Sequence, residues 1–156
     1  MDDLDRRVLA LFAADPRIGV LQASRELGVA RGTVQARLDK LTGSGVVTGW
    51  GPDLSPEALG FPVMAFLTLE IRQDSAELGG HDAVATHLAT IPEVLEAHTI
   101  TGAGDLFARV VARSNSDLQR VIDLVLKDPA IVRSSTVIAL ATQIPYRVLP
   151  LVASAT

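Results

Sequence analysis

Cysteine is absent from the 156-residue chain, which excludes disulfides, thiolate chemistry and the usual cysteine-rich zinc modules. Although apolar residues make up 48% of the sequence, no run approaches the ~18 residues of a membrane span. The acidic start MDDLD is no signal peptide, so a soluble, cytoplasmic protein without membrane contact is expected. Histidine is scarce: His81 and His87 are six apart, off the spacing that puts two ligands on one helical face, and His98 stands alone. No metal site is expected. Nor do a nucleophile, a base and an orienting group recur together. Asp117, Asp123 and Asp128 read as solvated or helix-end charges, so neither an enzyme nor a cofactor is expected. Positive charge is thin too. The net charge is −4, but residues 1–50 hold seven Lys/Arg against six Asp/Glu, whereas 51–156 hold seven against twelve. Basic groups are concentrated in the first third, and +1 is a weak footprint for nucleic acid, so repeated copies would be needed to multiply phosphate contacts.

What is present begins with RELGVARGTVQARLDKLTGSG, residues 25–45. One helix ends at Leu27, Gly28 can take a left-handed conformation, and a second helix runs over about 31–42. Ser24 is small where the helices approach, and Val34, Leu38 and Leu41 repeat on one face. Arg31, Thr33, Gln35, Arg37 and Lys40 occupy the other positions with side chains able to reach base edges and phosphates. Upstream, Leu4, Val8, Leu9, Leu11 and Phe12 give a first helix over 3–14, closed by Asp15-Pro16. This is the pattern of a helix-turn-helix, with Arg31, Thr33 and Gln35 placed near bases and Arg37 and Lys40 at phosphates. Residues 46–50 read as a short extended segment, a wing beside the DNA, with Trp50 anchoring it to the helices.

Pro52, Pro56 and Gly60 punctuate a linker over 51–61. From Pro62 the period changes. A strand is expected over 63–71, a polar loop over 73–80, and a helix over 82–90 capped by Asp82. Strands follow at 94–101 and 106–113, then a helix opened by Ser116 and Asp117, and a last strand over 132–143. Pro92 with Thr99 and Pro129 with Thr136 repeat one offset, each proline closing a helix before a strand. The order βαββαβ predicts a ferredoxin-like domain over 62–146, an antiparallel sheet with both helices on one face and a 147–156 tail. Its other face, bare and apolar, is an expected self-association surface. The fold class is α+β, a winged helix-turn-helix followed by this sandwich.

Together, LDRRVLALFAADPR, LGVARGTVQARLDKLTGSGVVTGW and IPEVLEAHTITGAGDLFARVVAR resemble the Lrp/AsnC (leucine-responsive, feast/famine) transcription regulators, in that family's order and spacing. The resemblance implies a DNA-binding regulator that dimerises through its C-terminal domain and assembles dimers into octamers or related rings. It also implies a small effector, commonly an amino acid, between dimers at Thr101, Gly102, Ala103, Gly104 and Asp105, with His98, Thr99 and Thr136 completing the pocket. Glycine amides would meet a ligand carboxylate, and Asp105 an ammonium group. Ser24 stands where the family more often has alanine, and Ala103 where it often has a larger or acidic residue. By its residues alone, the 102–105 stretch reads first as a hairpin turn, and the ligand reading comes from the resemblance. Two other functions also fit the residues: an architectural protein wrapping DNA without an effector, and a small-molecule sensor acting on a protein partner.

Overall fold

A computed structural model describes residues 1–72 and 80–154. Two compact units emerge, one of Met1–Asp53 with the chain end from Ile144, the other Leu54–Gln143. Among the described residues no helix is long and apolar enough to cross a membrane.

The first unit holds α1 (Asp3–Ala14), α2 (Val20–Leu27) and α3 (Arg31–Gly43). A capping box starts α1: Asp2 accepts the Asp5 amide at 2.8 Å, and Asp5 accepts the Asp2 amide at 3.1 Å. This satisfies amides that a helix start otherwise leaves unpaired. Gly28, at φ 70°, ends α2 in the left-handed region, and Arg7 donates to the Leu27 carbonyl at 2.9 Å. Ser24 is buried with its hydroxyl donated to the Leu21 carbonyl, so the polar group costs little where the helices close up. Val8, Phe12, Ala23, Leu27, Val34, Leu38 and Leu41 form the core. The expected wing does not form. Residues 46–50 are a bend followed by coil, held because the Val46 and Val47 amides both donate to the Leu41 carbonyl. An extended segment with no second strand to pair with stays coil. Trp50 does anchor it, edge-on to Phe12 with ring centres 5.7 Å apart. Near the chain end a short 3₁₀ helix, Leu149–Ala153, packs on α1.

The second unit contains β1 (Val63–Ile71), α4 (Gly80–Ala89), β2 (Val94–Thr99), β3 (Leu106–Ala112), α5 (Asn115–Val125) and β4 (Ile131–Ile138). The sheet order is β2-β3-β1-β4, every neighbour antiparallel. Alternation decides the faces: Ala65, Leu67 and Leu69 of β1 and Leu106, Ala108 and Val110 of β3 join Val84, Leu88, Leu118, Val121 and Val125 of the helices in one core. Nε2 of His87 lies 3.0 Å from the Leu124 carbonyl oxygen and ties α4 to the end of α5. Helix α4 starts at Gly80, which puts Asp82 in its first turn and not at its cap; of the loop expected over 73–80, Gly80 is helical and residues 73–79 lie outside the described residues. Ser114, not Ser116, caps α5. The strand expected to reach 143 stops at Ile138 because β1 begins at Val63 and offers nothing to pair with beyond the Ala139 amide, which bonds to the Met64 carbonyl.

Among the described residues of this unit, no helix packs on the opposite sheet face. Phe66 and Phe107 stack there, with ring centres 5.5 Å apart. Arg109 pairs with Glu96 at 3.2 Å. A turn over residues 55–61 leaves a hollow of about 400 Å³ at the edge of this face, lined by Leu54, Leu59, Phe61, Met64, Leu95 and Arg109 among others.

Candidate nucleic-acid interface and effector loop

Helix α3 turns Val34, Leu38 and Leu41 inward. At 3.6 residues per turn the outermost line is then Gly32, Ala36 and Gly43, all exposed. A line of small side chains lets a helix backbone come close to whatever it faces. Arg31 is exposed in the first turn, Thr33 is half-buried on one flank, and Gln35 is exposed on the other, its amide donating to Asp39 at 2.8 Å. Ala30 supplies no side-chain cap, which leaves the first amides of α3 without a side-chain acceptor.

Arg37 and Lys40, expected at phosphates, are ion-paired inside the unit. Nη1 of Arg37 donates to Asp5 at 2.9 Å and also to Asp2, while Nζ of Lys40 donates to the other Asp5 oxygen at 2.8 Å. Asp5 is completely buried. Burial pushes its carboxyl up, but bonds from Lys40, the Asp2 amide and Arg37 outweigh that and leave it at about 2. The Asp5 amide and Arg37 likewise lower Asp2, and the same carboxylates raise Arg37. The two carboxylates thus staple α3 to the start of α1 over 32 to 35 residues of sequence. In the sequence Asp2 and Asp5 read only as an acidic terminus. The available signal was two aspartates three apart just before an apolar helical stripe, a capping-box pattern.

In the second unit the candidate effector residues are only partly brought together. The 102–105 loop is the β2–β3 hairpin, closed by the Ile100 amide on the Asp105 carbonyl at 3.0 Å. Gly102 is at φ 107° and Gly104 at φ 153°. A Cβ on Gly104 would collide with Cγ2 of Thr68, so the hairpin lies against β1 only because that residue is glycine. Asp105 ties the hairpin to the end of β1, since its Oδ2 accepts the Ile71 amide at 2.6 Å and its own amide donates to the Leu69 carbonyl at 2.9 Å. Ala103 is exposed at the tip. Thr99 pairs with Leu106 and shares the helix side, whereas His98 pairs with Phe107 on the bare side. Thr136 is on the edge strand β4, opposite Leu67 of β1, the strand on which the hairpin rests. Among the described residues no group of three or more His, Asp or Glu is placed to hold a metal ion.

Known proteins place both units. Residues 1–42 match the AsnC-type helix-turn-helix domain and residues 64–149 the Lrp/AsnC ligand binding domain. The chain is 27% identical over 151 residues to the HTH-type transcriptional regulator FL11 of Pyrococcus horikoshii, covering 97% of each. It is 31% identical over 122 residues to the regulatory protein AsnC of Escherichia coli, covering 78% of each. The fold superposes on the E. coli AsnC structure with a TM-score of 0.85, 28% identity, and coverage of 96% of this chain and 99% of that one. A feast or famine regulatory protein from M. tuberculosis, complexed with L-methionine, gives a TM-score of 0.81 at 26% identity over 94% of this chain and 96% of that one. With a helix-turn-helix and a ligand-binding βαββαβ domain in that order, the chain belongs to the Lrp/AsnC family of DNA-binding transcription regulators, which are not enzymes.

Proposed function

We propose that this regulator is sequence-specific, acts in the cytoplasm as a dimer or an assembly of dimers, and responds to an amino acid or related metabolite. The observation that carries the reading is the exposed outer face of α3, narrow along Gly32 and Ala36 and flanked by Arg31, Thr33 and Gln35. That shape suits entry into a major groove, with those three side chains at base edges. Two copies related by a twofold axis would present two such helices to a loosely palindromic operator. With seven Lys/Arg against six Asp/Glu over residues 1–50, each copy has a weak electrostatic footprint, which disfavours the architectural alternative.

Dimerisation is assigned to the bare sheet face around Phe66 and Phe107. The effector is assigned to the hairpin: amides at 102–104 approach its carboxylate, while the Asp105 oxygen not used by Ile71 faces its ammonium group. The M. tuberculosis relative carries L-methionine, and an α-amino acid is the class proposed here.

The test is a titration of the protein with duplex DNA from its own upstream region and with random duplex, with and without each of the twenty amino acids, while light scattering follows size. Preference for the upstream DNA, together with one amino acid that changes affinity or size, supports the reading. Equal binding to both duplexes at physiological salt would sink sequence specificity. No response to any amino acid would reduce the loop to a turn.

A further inference from the structure

Of the three basic side chains on α3, two are held by acids from the start of α1, and those acids differ in setting. Asp5 is sealed in, its oxygens taken by Lys40, Arg37 and the Asp2 amide. Asp2 has half its side chain in solvent, 51% exposed, and Arg37 remains 28% exposed. Asp2 is therefore the partner of Arg37 that solvent reaches. On α3, Arg37 lies one turn from both Thr33 and Lys40, on a flank of the outward face. A phosphate oxygen offers a guanidinium the same acceptor chemistry as a carboxylate, and duplex DNA presents such oxygens at high density.

We propose that Asp2 stands in for a DNA phosphate in the unbound protein. On binding, a backbone phosphate takes Arg37 from Asp2, while Asp5 keeps α3 seated through Lys40 and the remaining Arg37 bond. Asp2 is then a positioning residue that lowers affinity: every binding event must break one carboxylate–guanidinium pair before a phosphate pair forms. The inference rests on α3 being the helix that meets DNA.

The experiment measures binding of a random-sequence duplex against salt concentration for the full chain, Asp2→Asn and Asp3→Asn. Asparagine caps helices as well as aspartate does, so α1 keeps its start, which a thermal melt verifies. Asp3 is exposed and, among the described residues, pairs with nothing on α3. Asp2→Asn is expected to bind on the order of fivefold tighter with the log–log salt slope nearly unchanged, because Arg37 reaches the same phosphate in both proteins and only the cost of leaving Asp2 is removed. Asp3→Asn, which removes the same charge, should leave the affinity close to that of the unaltered protein. Equal shifts in both variants, or weaker binding by Asp2→Asn, overturn the proposal. If Asp2→Asn fails to fold, the side-chain NMR signal of Arg37 in the unaltered protein decides. A shift on adding duplex supports the exchange, and an unmoved signal despite binding overturns it alone. No binding of duplex by the unaltered protein overturns the α3 reading as well.

Discussion

Asp5 governs how the helical unit responds to acid. Its folded-state value of about 2 lies below the ordinary 3.8, so the stabilisation from its bonds is complete above the unfolded-state value and is lost as pH falls from about 4 to 2. Asp2 shifts in the same direction, while Arg37, raised by the same carboxylates, stays charged throughout. The melting temperature of this unit is expected to be level from neutral pH to about pH 5 and to drop below about pH 4. Asp5→Ala removes a buried carboxylate while Lys40 and Arg37 keep access to solvent; it should cost about 1 to 3 kcal/mol at neutral pH through the lost charged hydrogen bonds and flatten much of that acid limb. Circular dichroism melts across pH check both. A variant as stable as the parent would mean that the pairs contribute nothing.

Among the elements, the β2–β3 hairpin owes its position to Gly104. Gly104→Ala should destabilise the sheet unit by about 1 to 3 kcal/mol, through strain at a left-handed φ and the collision with Thr68. Thr68→Ser, which removes the colliding methyl, should recover part of the loss in the double variant. Urea titrations of the four proteins measure this, and simple additivity would show that the two residues do not meet.

Most elements were legible beforehand because their determinants are local. Apolar spacing in α1, α3 and α5, Gly28 after α2, and the prolines before β2 and β4 fix the helices and strands to within a few residues. Elements that depend on a distant partner were not legible. The wing at 46–50 needs a second strand, and the end of β4 is set by where β1 begins. For the same reason, the recognition-helix candidates were found by type and spacing, but the engagement of Arg37 and Lys40 by acids some 35 positions earlier could not be. The tie between Asp105 and Ile71 escaped likewise.

At the scale of the whole molecule, the bare sheet face is where copies should meet. Phe66 and Phe107 lie off the helix-side core, so Phe107→Glu is expected to leave the βαββαβ fold intact while placing a charge at the centre of the contact. Light scattering should then report the mass of a single chain at concentrations where the parent is larger, with an unchanged far-ultraviolet spectrum. A variant of parental mass would move the contact elsewhere.

The path of the polypeptide has a practical consequence. The chain leaves the helical unit at Asp53 and returns to it at Ile144, so the sheet unit is, in topology, an insertion within the DNA-binding half. A fusion partner or trimming at the carboxyl end therefore falls on the half that carries α3, even though the sequence immediately before it belongs to the sheet. An isolated fragment ending near Asp53 would be missing the 3₁₀ turn that packs on α1. Severing the backbone between Gln143 and Leu149 should loosen the helices before it disturbs the strands.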